Sequence, residues 1–170
     1  QNTETRYTYN AVSEQIQQFA NAEGDDGDAR ISAIAYDVRG NVTTLVSPEA
    51  AGAAVGFSKT YDLSNRLLSE VDELGRKTLY FYDREDRLRF QVNDDGAVQE
   101  YKYNAFGDQI ESVLYASRID ISGLTGGIVL AEISNRLVQV SNPAEDRIVK
   151  FSYSTTGSQA GFETADGGSV

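Results

Sequence analysis

The sequence predicts an all-β protein, an antiparallel strip of β-hairpin repeats, and three observations carry that prediction. Tyrosine–acid pairs recur at a fixed step: Tyr61-Asp62, Tyr82-Asp83 and Tyr103-Asn104 lie 21 residues apart, twice running. Between the pairs, short runs such as Arg87-Leu88-Arg89-Phe90-Gln91-Val92 alternate polar and apolar residues, the period expected of half-buried strands. The runs are separated by clusters of Asp, Asn and Gly, the residues that make turns.

One copy shows the unit in full. Thr78-Leu79-Tyr80-Phe81-Tyr82 reads as a strand, being aromatic and β-branched without a breaker. Asp83 to Asp86 is a turn, Arg87 to Val92 the return strand, and Asn93-Asp94-Asp95-Gly96 a second turn. Other positions keep the step: Lys59, Tyr80 and Tyr101; Val71, Val92 and Val113; Gly75 and Gly96. Three residues after the acid of each pair stand Gly40, Asn65, Asp86, Gly107 and Gly157. Gly, Asn and Asp are the residues that tolerate positive φ, so their interchange predicts a left-handed backbone there. The acids Asp37, Asp62, Asp83 and Asn104 are expected to hold the turn through side-chain-to-backbone hydrogen bonds.

Weaker copies flank the strict ones, which run from about 57 to 113. The first is Tyr7-Thr8-Tyr9-Asn10, then Ser13, Ile16 to Phe19 and Gly24; the second is Ile34-Ala35-Tyr36-Asp37, then Gly40-Asn41-Val42. Glu23 to Ala29 and Pro48 to Gly56 read as lengthened hairpin loops. Repeats thus fill 1–117 and resume over 148–170, where Phe151-Ser152-Tyr153-Ser154 and Gly157 precede a second turn, Thr164 to Gly167. Between them, 118–147 breaks the pattern. Ser122 to Gly127 reads as loop; Leu130, Ile133, Leu137 and Val140 then share one helical face. A short helix or an irregular insertion lying against the sheet is expected, a strand pair being the alternative, with Asn142-Pro143 ending the element.

Composition removes several chemistries. There is no Cys, His, Met or Trp, so disulfides, thiolate or imidazole metal ligands and histidine-based catalysis are excluded. A net charge of -11 repels phosphate backbones, so no nucleic-acid partner is expected. No run is long and apolar enough for a membrane helix. The cluster from Glu23 to Asp28 lacks the ligand spacing of a calcium loop, and Gly126-Gly127 lacks that of a phosphate loop. No cofactor, metal or catalytic residue is assigned.

The motifs Tyr-Asp-x-x-Asn-Arg-Leu at 61–67 and Tyr-Asp-x-x-Asp-Arg-Leu at 82–88, with Val71-Asp72-Glu73-Leu74-Gly75 between them, resemble the YD, or RHS, repeat. The resemblance covers nearly the whole chain apart from the insertion. It implies a strip of hairpins forming part of a hollow β-shell. In bacterial members the shell encloses a variable C-terminal toxin; animal teneurins use a related shell in adhesion. It therefore implies a secreted or cell-surface bacterial protein whose partners are flanking repeats of the same polypeptide and an encapsulated toxin domain. The Pro-rich terminal core that closes such shells has no counterpart here, the only prolines being Pro48 and Pro143. The chain reads as a fragment of a longer one.

The repeat aromatics Tyr36, Tyr61, Tyr80, Tyr82, Tyr101, Tyr103 and Tyr153 admit two roles, cross-strand packing or stacking on a glycan, as in an adhesion module. Packing is favoured, since Leu79 and Phe81 make the other face of the same strand apolar too. A hydrolase reading, with Asp83 and Asp94-Asp95 as paired carboxylates, is disfavoured because these acids recur with the turns. Unpaired sheet edges predict self-association.

Overall fold

The computed structural model describes residues 4–11, 15–21, 30–48, 54–129, 131–153 and 159–165. The chain forms two compact units, residues 1–77 and 78–170. In both, antiparallel strands follow one another in chain order. The first unit holds β1 (Glu4–Tyr9), β2 (Gln15–Asn21), β3 (Arg30–Tyr36), β4 (Val42–Pro48), β5 (Ala54–Tyr61) and β6 (Leu67–Val71). The second opens within β7 (Lys77–Tyr82) and continues through β8 (Leu88–Asn93), β9 (Val98–Tyr103) and β10 (Gln109–Leu114). Then come β11 (Gly127–Ile128), α1 (Ala131–Val140), β12 (Arg147–Tyr153) and β13 (Gln159–Ala165).

A single irregularity recurs in the hairpins. Tyr61 pairs with Leu67 but Thr60 with Ser69, which leaves Leu68 unpaired. In the same place Tyr36 and Ala35 leave out Thr43, Phe81 and Tyr82 leave out Arg89, and Lys102 and Tyr103 leave out Ile110. Ile16 and Ala160 occupy the equivalent position in the first and last copies. Each is a β-bulge, one extra residue on the return strand that bends it and re-aims side chains.

Among the described residues, the buried apolar core lies in the second unit. Leu79, Phe81, Phe90, Val92, Val98 and Val113 of the strands cluster with Tyr115, just past β10, and with Ile119, Leu124, Ile133 and Leu137 of the insertion. On α1, Ile133 and Leu137 are buried while Val138, one residue on, is 80% exposed, as the 3.6-residue period requires. The insertion leaves and returns at one point. Leu114 of β10 pairs with Arg147 of β12, so the ladder closes behind it. The buried Asp146 carboxylate accepts hydrogen bonds from the Ala116 N–H (2.9 Å) and the Asn142 N–H (3.1 Å), joining the exit to the return.

Three local readings of the sequence need correction. The loop expected over Pro48 to Gly56 is shorter: β4 runs to Pro48 and β5 starts at Ala54. Gly56 is a strand residue whose reason is crowding, since a Cβ there would stand 2.2 Å from the Leu45 carbonyl oxygen. β13 continues through Thr164 and Ala165, where a turn was expected. Gly127 belongs to a strand: β11 pairs parallel to β7, with Gly127 opposite Phe81. Ser13, Gly24, the segment from Glu23 to Ala29, Leu130, Ser154, Gly157, Asp166 and Gly167 lie outside the described residues.

Candidate functional site

The tyrosine–acid pair divides into two devices. The acid builds the turn. Asp62 Oδ1 accepts from the N–H groups of Ser64 (2.8 Å) and Arg66 (3.0 Å), and its Oδ2 accepts from Arg66 Nε at 2.7 Å. Asp72 does the same with Leu74 and Arg76, and Asp83 with Glu85 and Arg87. Asp37 uses Asn41 in place of arginine. In the Asn104 turn the charge is moved: Asn104 Oδ1 accepts the backbone bonds and its Nδ2 donates to Asp108 Oδ2. Asn41 Nδ2 also donates to Asn65 Oδ1 at 2.9 Å, linking two successive turns.

These contacts set the charge state. At Asp72 the Arg76 guanidinium and amide hold the carboxyl below the usual aspartate range. At Asp62 and Asp83 burial pushes the other way, but the amide and guanidinium of the following arginine outweigh it and the carboxyl is again held low. The left-handed position follows in each turn: φ is 85° at Gly40, 63° at Asn65, 63° at Asp86 and 92° at Gly107. In the second turns Gly75 and Gly96 have φ of 79° and 80°. The open space around Gly75 contrasts with Gly96, where a Cβ would meet the Ile119 carbonyl oxygen at 2.2 Å.

The tyrosine ties one hairpin to the one before. The Tyr61 hydroxyl donates to the carbonyl oxygen of Val42 (3.1 Å), and that of Tyr103 to Leu88 (2.8 Å). Tyr153 donates to Gln109 at 2.7 Å. Each acceptor lies five residues beyond the acid of the preceding pair (37, 83 and 104). The last bond spans the insertion, so the repeat resumes in register on its far side. Tyr103 also receives the Arg87 guanidinium on its ring, 4.9 Å from the centroid. Tyr101 donates to Gln91 at 3.3 Å. Tyr36, Tyr80 and Tyr82 are half-buried.

A polar cluster lies under α1. Glu100, 5% exposed, accepts from Arg89 Nη2 at 2.6 Å and from the Tyr115 hydroxyl at 2.9 Å. Lys102 Nζ stands 3.8 Å from Glu100 and 2.5 Å from Glu111. Burial, and then the bond to Glu100, push the Tyr115 hydroxyl well above the usual tyrosine range. Sequence reasoning missed this cluster. The 80–103 strands read as plain alternation, which sets Arg89 on the face opposite Phe90; the bulge brings both to one side. A signal was present in the repeat itself, because Glu100 stands where the previous copy has Leu79.

Two of the acids weighed as paired carboxylates have partners of their own. Asp83 is engaged by its own turn, and Asp95 accepts from the Ala97 N–H and pairs with Arg118 at 3.2 Å. Among the described residues, no group of three or more acidic side chains is placed to hold a metal ion, and no helix is long and apolar enough to cross a membrane.

The RHS Repeat family profile matches residues 61–95. No curated protein sequence matches the chain. Similar solved structures include the TcdB2–TccC3–Cdc42 assembly, 13% identical with a TM-score of 0.46, covering 96% of this chain and 9% of that one. The Photorhabdus luminescens Tc holotoxin pore with a TccC3 mutation is 14% identical, TM-score 0.45, over 95% of this chain and 9% of that one. TcdB2–TccC3–TEV is 12% identical, TM-score 0.31, over 96% and 11%. The chain spans only these small shares of the proteins it is similar to.

Proposed function

We propose, from the RHS repeat that residues 61–95 carry, that this chain is structural wall material of a secreted or cell-surface bacterial RHS/YD-repeat protein, with no catalytic residues of its own. The wall forms part of a β-shell around a toxin or effector domain, and the flanking repeats of the same polypeptide are its partners. The observation that supports this most directly is the use of the tyrosine–acid pair. In Tyr61-Asp62 the hydroxyl binds the preceding hairpin and the carboxylate closes its own turn, so the repeat's polar signature serves the framework. A hairpin of this kind cannot bury an apolar face alone, and neighbours must share one.

The test is the gene that encodes the chain and its product. A shell reading expects further tyrosine–acid repeats at the same step on the flanks, and a C-terminal domain that resists protease in the intact protein and becomes sensitive when the repeats are cut. A gene encoding these repeats without any enclosed domain would overturn it.

A further inference from the structure

The charged pair under α1 is out of keeping with the repeat that contains it. The bulge residue is Ile16, Thr43, Leu68, Ile110 or Ala160 in the other copies and Arg89 only here. Position 100 corresponds to Arg6, Ala33, Ser58, Leu79 and Lys150 in the other copies and is an acid only here. Both changes fall in the one place where the insertion covers the sheet. Glu100 is 5% exposed and Arg89 is only partly covered, and taking a carboxylate out of water offsets much of what the pair gains by attraction. Stability therefore gives little reason to set an acid at position 100 beside an arginine at the bulge.

The pair also does not fill its surroundings. A cleft of about 260 Å³ opens beside it, lined by Arg89, Phe90, Glu100 and Tyr115 from the sheet side and by Ser134 and Ser141 from α1 and its end. We infer that this cleft is a binding site for a small neutral polyol of single-ring size. The volume lies below the roughly 300–1,000 Å³ of pockets that hold drug-sized ligands, so one ring is the fit. Glu100 accepts from Arg89 and Tyr115 and retains lone pairs, since an ionised carboxylate offers about four acceptor sites. The Ser141 hydroxyl, which donates to Asp146 Oδ2 at 3.5 Å, can still accept, and that of Ser134 can both donate and accept. A polyol hydroxyl does the same, whereas Leu137 and Val129 cover its C–H surface. Arg89 and Lys102 are balanced by Glu100 and Glu111, and the Asp146 carboxylate behind Ser141 is buried and taken up by the Ala116 and Asn142 amides, so a neutral ligand suits the cleft best.

The inference does not rest on the shell reading, because the cleft lies within the second unit whatever the repeats enclose. It is tested on the whole chain by saturation-transfer NMR with myo-inositol and glucose, and with glucuronate and glucosamine as charged counterparts. Hydrogen-exchange mass spectrometry on the same mixtures locates the contact. The expected result is saturable binding of a neutral polyol with Kd on the order of 1 mM, within the weak range of small ligands, with slowed exchange over 131–141. Ser134→Phe, which fills the cleft from the helix side, should weaken it at least 10-fold; Gln99→Ala, away from the cleft, should leave it unchanged. Absence of binding by either polyol, equal binding of the charged sugars, or binding without protection of 131–141 overturns the proposal. The exchange map decides the matter even where Ser134→Phe disturbs folding.

Discussion

Replacing Gly96 and Gly75 in parallel separates two reasons for a glycine. Both have φ near +80°, so alanine at either carries the left-handed strain of about 1–2 kcal/mol. Around Gly75 nothing lies within 4 Å of the added carbon, and the cost should stop there. At Gly96 the Cβ would fall 2.2 Å from the Ile119 carbonyl oxygen, which is backbone and cannot rotate away. The insertion must retreat. It then loses the Ile119 N–H bond to the Gly96 oxygen, 3.0 Å long, worth about 0.5–1.5 kcal/mol. It also loosens Ile119, 6% exposed, whose full burial is worth about 1.5–3 kcal/mol. Gly96→Ala should thus destabilise the second unit by about 3–6 kcal/mol on these terms. Asparagine sharpens the contrast, since it tolerates the left-handed region: Gly75→Asn should be nearly silent, while Gly96→Asn should still cost about 2–4 kcal/mol from the crowding. Urea unfolding gives the free energies, and hydrogen exchange at 115–124 reports the insertion. Equal losses at the two glycines would refute the crowding argument.

Removing single groups from the repeat tests the remaining devices. Tyr103→Phe deletes the donor to the Leu88 carbonyl and should cost about 0.5–1.5 kcal/mol in urea unfolding; no change would mean that the tie between hairpins contributes nothing. Asp83→Asn keeps an acceptor for the Glu85 and Arg87 amides, as Asn104 does for its own turn, whereas Asp83→Ala removes it. The alanine variant should therefore be the worse of the two, by about 1 kcal/mol, and the reverse order would sink the turn assignment. Acid should weaken the chain. Asp62, Asp72 and Asp83 have folded-state values held low, so their contribution is present above the unfolded value of about 3.9 and is lost as pH falls through the lower folded values. Stability measured from pH 5 downwards should drop below about pH 4, less steeply in Asp62→Asn/Asp83→Asn; an identical slope in that variant would contradict the sign.

The fold class was legible because strand alternation and the 21-residue step are properties of side-chain type alone. Other features depend on geometry that composition does not encode. A bulge adds one residue without changing residue type, so the alternation through Arg89 and Phe90 reads as unbroken. The parallel strand β11 is two residues long and begins with glycine, too short for any period to register. Asp146 sits in Asn142-Pro143-Ala144-Glu145-Asp146, which reads as a solvated turn; its burial arises only because β10 and β12 meet beside it. Gly56 carries no local turn signal in the structure, its constraint coming from the neighbouring strand. The polar cluster under α1 was hidden by the bulge, which turns Arg89 toward Glu100 on the neighbouring strand, and by the insertion that then lies beside both.

The bulge has a consequence for growth by duplication. A defect at one point of a sheet is local, but the same defect at the same station of each hairpin, always on the return strand, acts as a ratchet. Each added copy brings one more bulge, and a bulge bends its own strand and sharpens the local twist. Such bends are therefore gained or lost with whole hairpins, with no new residue contact to invent.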